Sequence, residues 1–111
     1  MGFKSEIYIK IEKEKIFEVK NLLTILEETY SIDIKEEEKF HTDDNYIYIY
    51  LSDWKFYTGY PEIKLIINTI ENMEEHAGMI AINEDNTIDN WGYPWEVDLY
   101  VSINIEGFKT T

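Results

Sequence analysis

From Phe3 to Ile11 apolar and polar positions alternate. Ile7, Ile9 and Ile11 share one side and Glu6, Tyr8 and Lys10 the other, the period of a half-buried β-strand. At Lys13 the period changes: Ile16, Val19, Leu22, Leu23, Leu26 and Tyr30 recur at three- and four-residue steps, which predicts an amphipathic helix to Tyr30. Ile32–Phe40 reads as a second strand, and its "KEEEK" run suits a sheet edge better than a centre. "HTDDN" (His41–Asn45) is a turn by composition. Tyr46–Tyr57 is the clearest strand, with Ile47, Ile49 and Leu51 on one face and Tyr46, Tyr48 and Tyr50 on the other.

Gly59-Tyr60-Pro61 then breaks the strand, and Pro61 suits the first turn of a helix whose apolar stripe is Ile63, Ile66, Ile67, Ile70 and Met73. Ala77–Asn83 predicts a short strand, "EDNTIDNWGYP" (84–94) a long polar connection, and Trp95–Ile105 a final strand. In that last strand Val97, Leu99, Val101, Ile103 and Ile105 oppose Asp98, Tyr100, Ser102 and Asn104. The order β-α-β-β-α-β-β predicts one α+β domain over residues 1–111. A mainly antiparallel sheet with both helices on one face, the ferredoxin-like or split-βαβ arrangement, buries every apolar stripe named here.

Two helices cover one side of such a sheet. The other side then carries Tyr8, Tyr46, Tyr48, Tyr50 and Tyr100, a row that predicts burial in a homodimer or higher homo-oligomer. Exposed tyrosines with strand preference, or a platform for a ligand, are the competing readings. RNA-recognition modules stack bases on a similar face, but their basic, glycine-containing signature is missing here.

Charge narrows the partners further. The chain has 23 acidic and 10 basic residues, a net −13, and every basic residue is Lys. Without Arg it lacks the planar fork that grips phosphate and guanine edges, so nucleic acid is not an expected partner. The missing Arg is also what an AT-rich genome produces. An acidic face can instead occupy the basic groove of a nucleic-acid-binding protein. There is no Cys, hence no disulfide or thiolate metal site. The charged start "MGFKSEIYIKIEKEK" does not read as a signal peptide, and no apolar stretch approaches the roughly 20 residues of a membrane span. A cytoplasmic protein with no membrane partner is expected.

"SDWKFYTGYPEI" (52–63) resembles a segment of small, mostly uncharacterised phage and prophage proteins, which carry a Lys-Trp-Tyr cluster at a strand end followed by Tyr-Pro or a similar helix start. The same group has a later Ile-Gly-Glu-Asp core with further acids, an Ile and a Gly. In "INEDNTIDNWG" (82–92), Ile82, Glu84, Asp85, Ile88 and Gly92 fit that pattern. Ala81 stands where Arg is frequent and Asn83 where Gly is frequent. The resemblance implies a phage accessory protein of the counter-defence kind, acting in the host cytoplasm by stoichiometric binding rather than by turnover.

The site residues follow from rings in two segments. Trp54, Tyr57 and Tyr60 come from the strand-to-helix junction, and Trp91, Tyr93 and Trp95 from "NWGYPWE". A base held between aromatic side chains gains roughly 1–3 kcal/mol. Lys55 and Lys64 would partly neutralise a phosphate, and Glu84 or Asp85 would accept ribose hydroxyls. The expected ligand is a small nucleotide-derived immune signal sequestered in an aromatic pocket. The alternative for these rings is that they plug the ends of the core.

Catalysis is not expected, and neither a cofactor nor a metal is. His41 with Asp43 and Asp44 has metal-ligating chemistry, but a plain turn explains the run; His76 beside Glu74 and Glu75 reads as a solvated helix end. No nucleophile triad or glycine-rich phosphate loop is present. The competing function is an acidic inhibitor of the anti-CRISPR or anti-restriction type. In it Glu36, Glu37, Glu38, Glu71, Glu74 and Glu75 block a basic host defence protein. A purely structural or assembly role in the phage is the third reading.

Overall fold

The computed structural model describes residues 4–34, 39–55, 57 and 59–99. β1 (Lys4–Glu12) alternates buried and open positions along its length, as its sequence period requires. α1 (Ile16–Tyr30) follows a short 3-10 turn at Lys13–Lys15 and buries Val19, Leu22 and Leu26. It ends on Ser31 in the left-handed region (φ 57°), where the N–H of Ser31 reaches Glu27 and that of Ile32 reaches Leu26. This cap closes the helix across the start of the expected second strand. Among the described residues that strand, β2, is confined to Lys39–Thr42, so it takes in His41 and Thr42 from the expected turn.

β3 (Tyr46–Lys55) and α2 (Pro61–Asn72) come next, with Pro61 at the first helical position as expected. β4 (Ala77–Asn83) then turns directly into β5 (Ile88–Gly92). The stretch 84–94 is therefore not one polar connection: its first residues are a hairpin turn and its middle is an edge strand. Of the expected strand Trp95–Ile105, the described part, residues 95–99, is corrected too. Pro94–Val97 is a 3-10 turn, Asp98 sits at φ 58°, and residues 100–105 lie outside the described set.

The sheet order is β2-β3-β1-β4-β5, with every neighbouring pair antiparallel. Each helical crossover steps over one intervening strand, which is the split-βαβ arrangement with β5 added beside β4. On one face Ile7, Ile9, Ile11, Ile47, Ile49, Leu51 and Met79 meet Val19, Leu22 and Leu26 of α1 and Ile63, Ile66 and Ile70 of α2, forming the main core. A second, smaller cluster of Tyr48, Ile80, Val97 and Leu99 lies apart from it. No helix among the described residues is long and apolar enough to cross a membrane.

Candidate functional site

One end of the sheet assembles most of the residues singled out by sequence. Ser5 is opposite Trp54 on β3 and opposite Asn83 on β4, so the strand-to-helix junction and the β4–β5 turn lie side by side. A bulge decides where Trp54 points. Ile7 pairs with Leu51 and Ser5 with Trp54, so β3 carries one extra residue there. The extra residue moves Trp54 off the tyrosine face and onto the helix face, where it packs half-buried against the main core.

Beside it Tyr57 and Tyr60 meet edge-to-face at 5.2 Å, held by the Tyr60 N–H on the Tyr57 carbonyl at 3.0 Å. Trp54, Lys55 and Tyr60 line a groove of about 490 Å³ together with Lys4, Ser31, Ile32, Glu62 and Ile63. Lys64 starts the next turn, its N–H on the Tyr60 carbonyl at 2.9 Å, with an exposed side chain. Sequence reasoning missed Lys4, because only the tertiary register brings it to the groove.

Glu84 and Asp85 sit at the same end. Glu84 Oε1 accepts the Lys4 N–H at 3.1 Å, and the Ser5 hydroxyl donates to Asn83 Oδ1 at 2.6 Å. Asp85 Oδ1 accepts the Thr87 hydroxyl at 2.6 Å and its N–H at 3.0 Å, which together hold that carboxyl below the usual range. Asp85 is thereby tied to its own turn through that oxygen.

The other three rings do not join this groove. Trp91, on the edge strand β5, pairs with Met79 partway along β4 and packs on the main core. Tyr93 and Trp95 lie at the opposite end: the Tyr93 N–H donates to Ala77, whose strand partner is Ile11. Ser5 to Ile11 spans roughly 20 Å at about 3.3 Å per strand residue. The expected six-ring pocket is therefore divided in two. Tyr93 and Trp95, 41% and 55% exposed, meet edge-to-face at 5.5 Å above a shallow hollow shared with Glu71 and Gly92.

The tyrosine face is together, as expected, but it is not bare. Val97 and Leu99 cross it from the same chain and pack with Tyr48 and Ile80, while Tyr8, Tyr46 and Tyr50 flank them. Tyr8 and Tyr50 stack at 5.0 Å, and the Lys10 ammonium sits 4.3 Å from the Tyr46 ring centre. The Tyr48 hydroxyl donates to Asp43 at 2.8 Å and that of Tyr50 donates to Glu6. Burial, then those bonds to carboxylates, push both phenols far above the ordinary range, so they stay neutral donors. Tyr100 lies outside the described residues, as do Glu36, Glu37 and Glu38.

Asp43 carries a measurable consequence. Partial desolvation opposes its ionisation, but N–H bonds from Asn45 (2.8 Å) and Tyr46 (2.7 Å), the Tyr48 hydroxyl and Lys10 more than offset it and hold the carboxyl low. A folded value below the unfolded one stabilises above the unfolded pKa, and that stability is lost as pH falls through the folded pKa. Asp43→Ala should cost about 1 kcal/mol at pH 7 in urea denaturation. The gap to wild type should shrink as pH falls below the ordinary 3.8 of an aspartate. His41 stacks on Tyr48 at 4.7 Å instead of joining Asp43 and Asp44 in a ligand set.

His76 is not a solvated helix end. Its Nδ1 lies 2.5 Å from Glu12 Oε1 and 3.6 Å from Glu14 Oε2, and the bond to Glu12 raises its pKa. Comparison with protein-family models, curated proteins and solved structures found no match to this chain. Fold and site together define an α+β split-βαβ protein with a lysine-bearing aromatic groove at one sheet end.

Proposed function

We propose that the protein is a non-catalytic, stoichiometric binder of the phage counter-defence kind, which sequesters a small nucleotide-derived signal in the Trp54–Tyr60 groove. The observation that carries this reading is local charge. In a chain of net −13, Lys4 and Lys55 line the same hollow as Trp54 and Tyr60, opposed there by Glu62. A volume of about 490 Å³ falls in the range that small ligands occupy. Rings supply stacking and the ammonium groups offset phosphate charge. Of the residues that carry the phage-protein resemblance, Trp54, Tyr57, Tyr60, Glu84 and Asp85 lie at this end of the sheet, whereas Gly92, opposite Gly78, lies toward the other.

Calorimetric titration with cyclic di- and trinucleotides and ADP-ribose derivatives tests the reading. A 1:1 micromolar or tighter complex is expected with one of them. Tyr60→Ala, at an exposed position, should weaken it about 5- to 150-fold, the equivalent of one lost stack of roughly 1–3 kcal/mol. Trp54→Ala should weaken it similarly but also costs core packing, so Tyr60 is the cleaner probe. Absence of any micromolar complex removes the proposal.

A second reading has its own observation: the exposed Tyr93–Trp95 pair beside Glu71, in a strongly acidic chain. Exposed rings beside a carboxylate, on a strongly acidic chain, suit a basic protein surface, as an inhibitor of a nucleic-acid-binding defence protein requires. Under this reading Trp95→Ala abolishes counter-defence activity in phage-infection assays while Tyr60→Ala leaves it intact. The groove reading requires the reverse.

A further inference from the structure

Three ligand-type side chains from segments far apart in sequence meet near the end of β1. Glu12 closes β1, Glu14 lies in the 3-10 turn Lys13–Lys15, and His76 ends the turn Glu74–His76 before β4. Each offers one donor atom, and the three atoms lie within 4.8 Å of one another. The sheet brings them together, because Ile11 and Ala77 are direct strand partners and place the residues beside them at the same end of the sheet.

We propose that Glu12, Glu14 and His76 bind a divalent transition-metal ion, with zinc the best fit. An imidazole with two carboxylates is a zinc-type donor set, and three protein ligands leave a fourth position for water. In a tetrahedral site with bonds of about 2.0–2.1 Å, donor atoms stand about 3.3 Å apart. The present separations from His76 Nδ1, 2.5 Å to Glu12 and 3.6 Å to Glu14, bracket that value.

The imidazole separates this cluster from the many acidic surfaces of the chain. Calcium and magnesium favour all-oxygen shells, whereas a neutral ring nitrogen selects zinc, nickel, cobalt or copper. The two carboxylates balance the charge of the ion, and nearby Glu75 adds to the negative field. Lys15, in the same 3-10 turn as Glu14, is turned to Glu18 at 3.7 Å. A bound ion would link residues 64 positions apart in sequence and so raise the thermal stability of the native state by mass action.

The test is calorimetric titration of the untagged full chain with zinc chloride, with a thermal melt in parallel. Expected is one site with a dissociation constant in the micromolar range and a rise in Tm on saturation. His76→Gln and Glu14→Gln should each weaken binding at least tenfold and remove the Tm rise, with unchanged far-UV circular dichroism. His41→Gln, away from the cluster, should bind zinc as wild type does. Cobalt(II) should give the visible absorption of a nitrogen–oxygen site, and that absorption should be lost in His76→Gln. No saturable zinc binding below millimolar overturns the proposal and leaves a simple His76–Glu12 ion pair. Zinc binding that survives His76→Gln overturns it equally, by putting the ion elsewhere.

Discussion

Ile9→Ala should lower the stability of the native state by about 2–5 kcal/mol, the range for truncating a fully enclosed aliphatic side chain. Ile9 is 1% exposed on the central strand, opposite Ile49 on one side and Met79 on the other. Its neighbours belong to the rigid middle of the sheet and cannot collapse into the space left behind. For a domain of this length the loss corresponds to on the order of 10–20 °C in Tm, read by calorimetry or circular dichroism. Phe17→Ser is the control: Phe17 is 73% exposed on α1 and should change stability by no more than about 0.5 kcal/mol. A small effect at Ile9, or a large one at Phe17, would mean that the core does not lie between β1 and the helices.

Gly78→Ala should also destabilise, against the usual sign. In a strand interior Ala normally improves on Gly by roughly 0.5–1 kcal/mol, because Gly loses more chain entropy on folding. At Gly78 an added Cβ would stand 2.4 Å from Pro94 Cα and 2.6 Å from Pro94 N, both backbone atoms that no rotamer change can remove. Strand or crossing segment must give way. Overpacking of this kind costs about 1–3 kcal/mol. The segment that would lift carries Val97 and Leu99, so their cluster with Tyr48 and Ile80 would open as well. The matched control is Gly59→Ala, where a Cβ meets nothing within 4 Å. Urea denaturation should separate the two variants by at least about 1 kcal/mol. Equal stability would show that residues 93–99 do not rest on β4.

The second of these sites shows where sequence reading reached its limit. Val97 and Leu99 alternate with Asp98, which satisfies a strand pattern, and both side chains are indeed buried. Burial alone does not distinguish a strand from a turn that presses two alternate residues onto a sheet. The place beside β4 is taken by Ile88–Gly92, reached through a short hairpin with Asn86 at φ 70°. Closing that short loop costs less chain entropy than bringing in a later segment. Residues 93–99 therefore cross the tyrosine face, and a row that looked open is partly covered by its own chain.

The site divides along the same line. Trp54, Tyr57 and Tyr60 were legible as a unit because they are neighbours in sequence and flank a strand-to-helix junction. Their approach to Lys4 and Glu84 was not, since it depends on the β1–β3 and β1–β4 registers. Trp91, Tyr93 and Trp95 lie within five residues of one another, yet they face the main core and the far end. His76 resembled a solvated residue because its partner Glu12 lies 64 positions away.

By itself the sequence determined β1, α1, β3, α2 and β4 and, outside the bulge before Trp54, the face each of them turns inward. Hydrophobic period is a local property, and burying Ile, Leu and Val outweighs every competing preference over such stretches. Only the tertiary structure decided the bulge that turns Trp54 toward the helices, the hairpin at Ile88 and the path of residues 93–99. Each of those is settled by competition between distant segments for the same strand edge or the same buried surface, and such competition leaves no periodic trace in the chain.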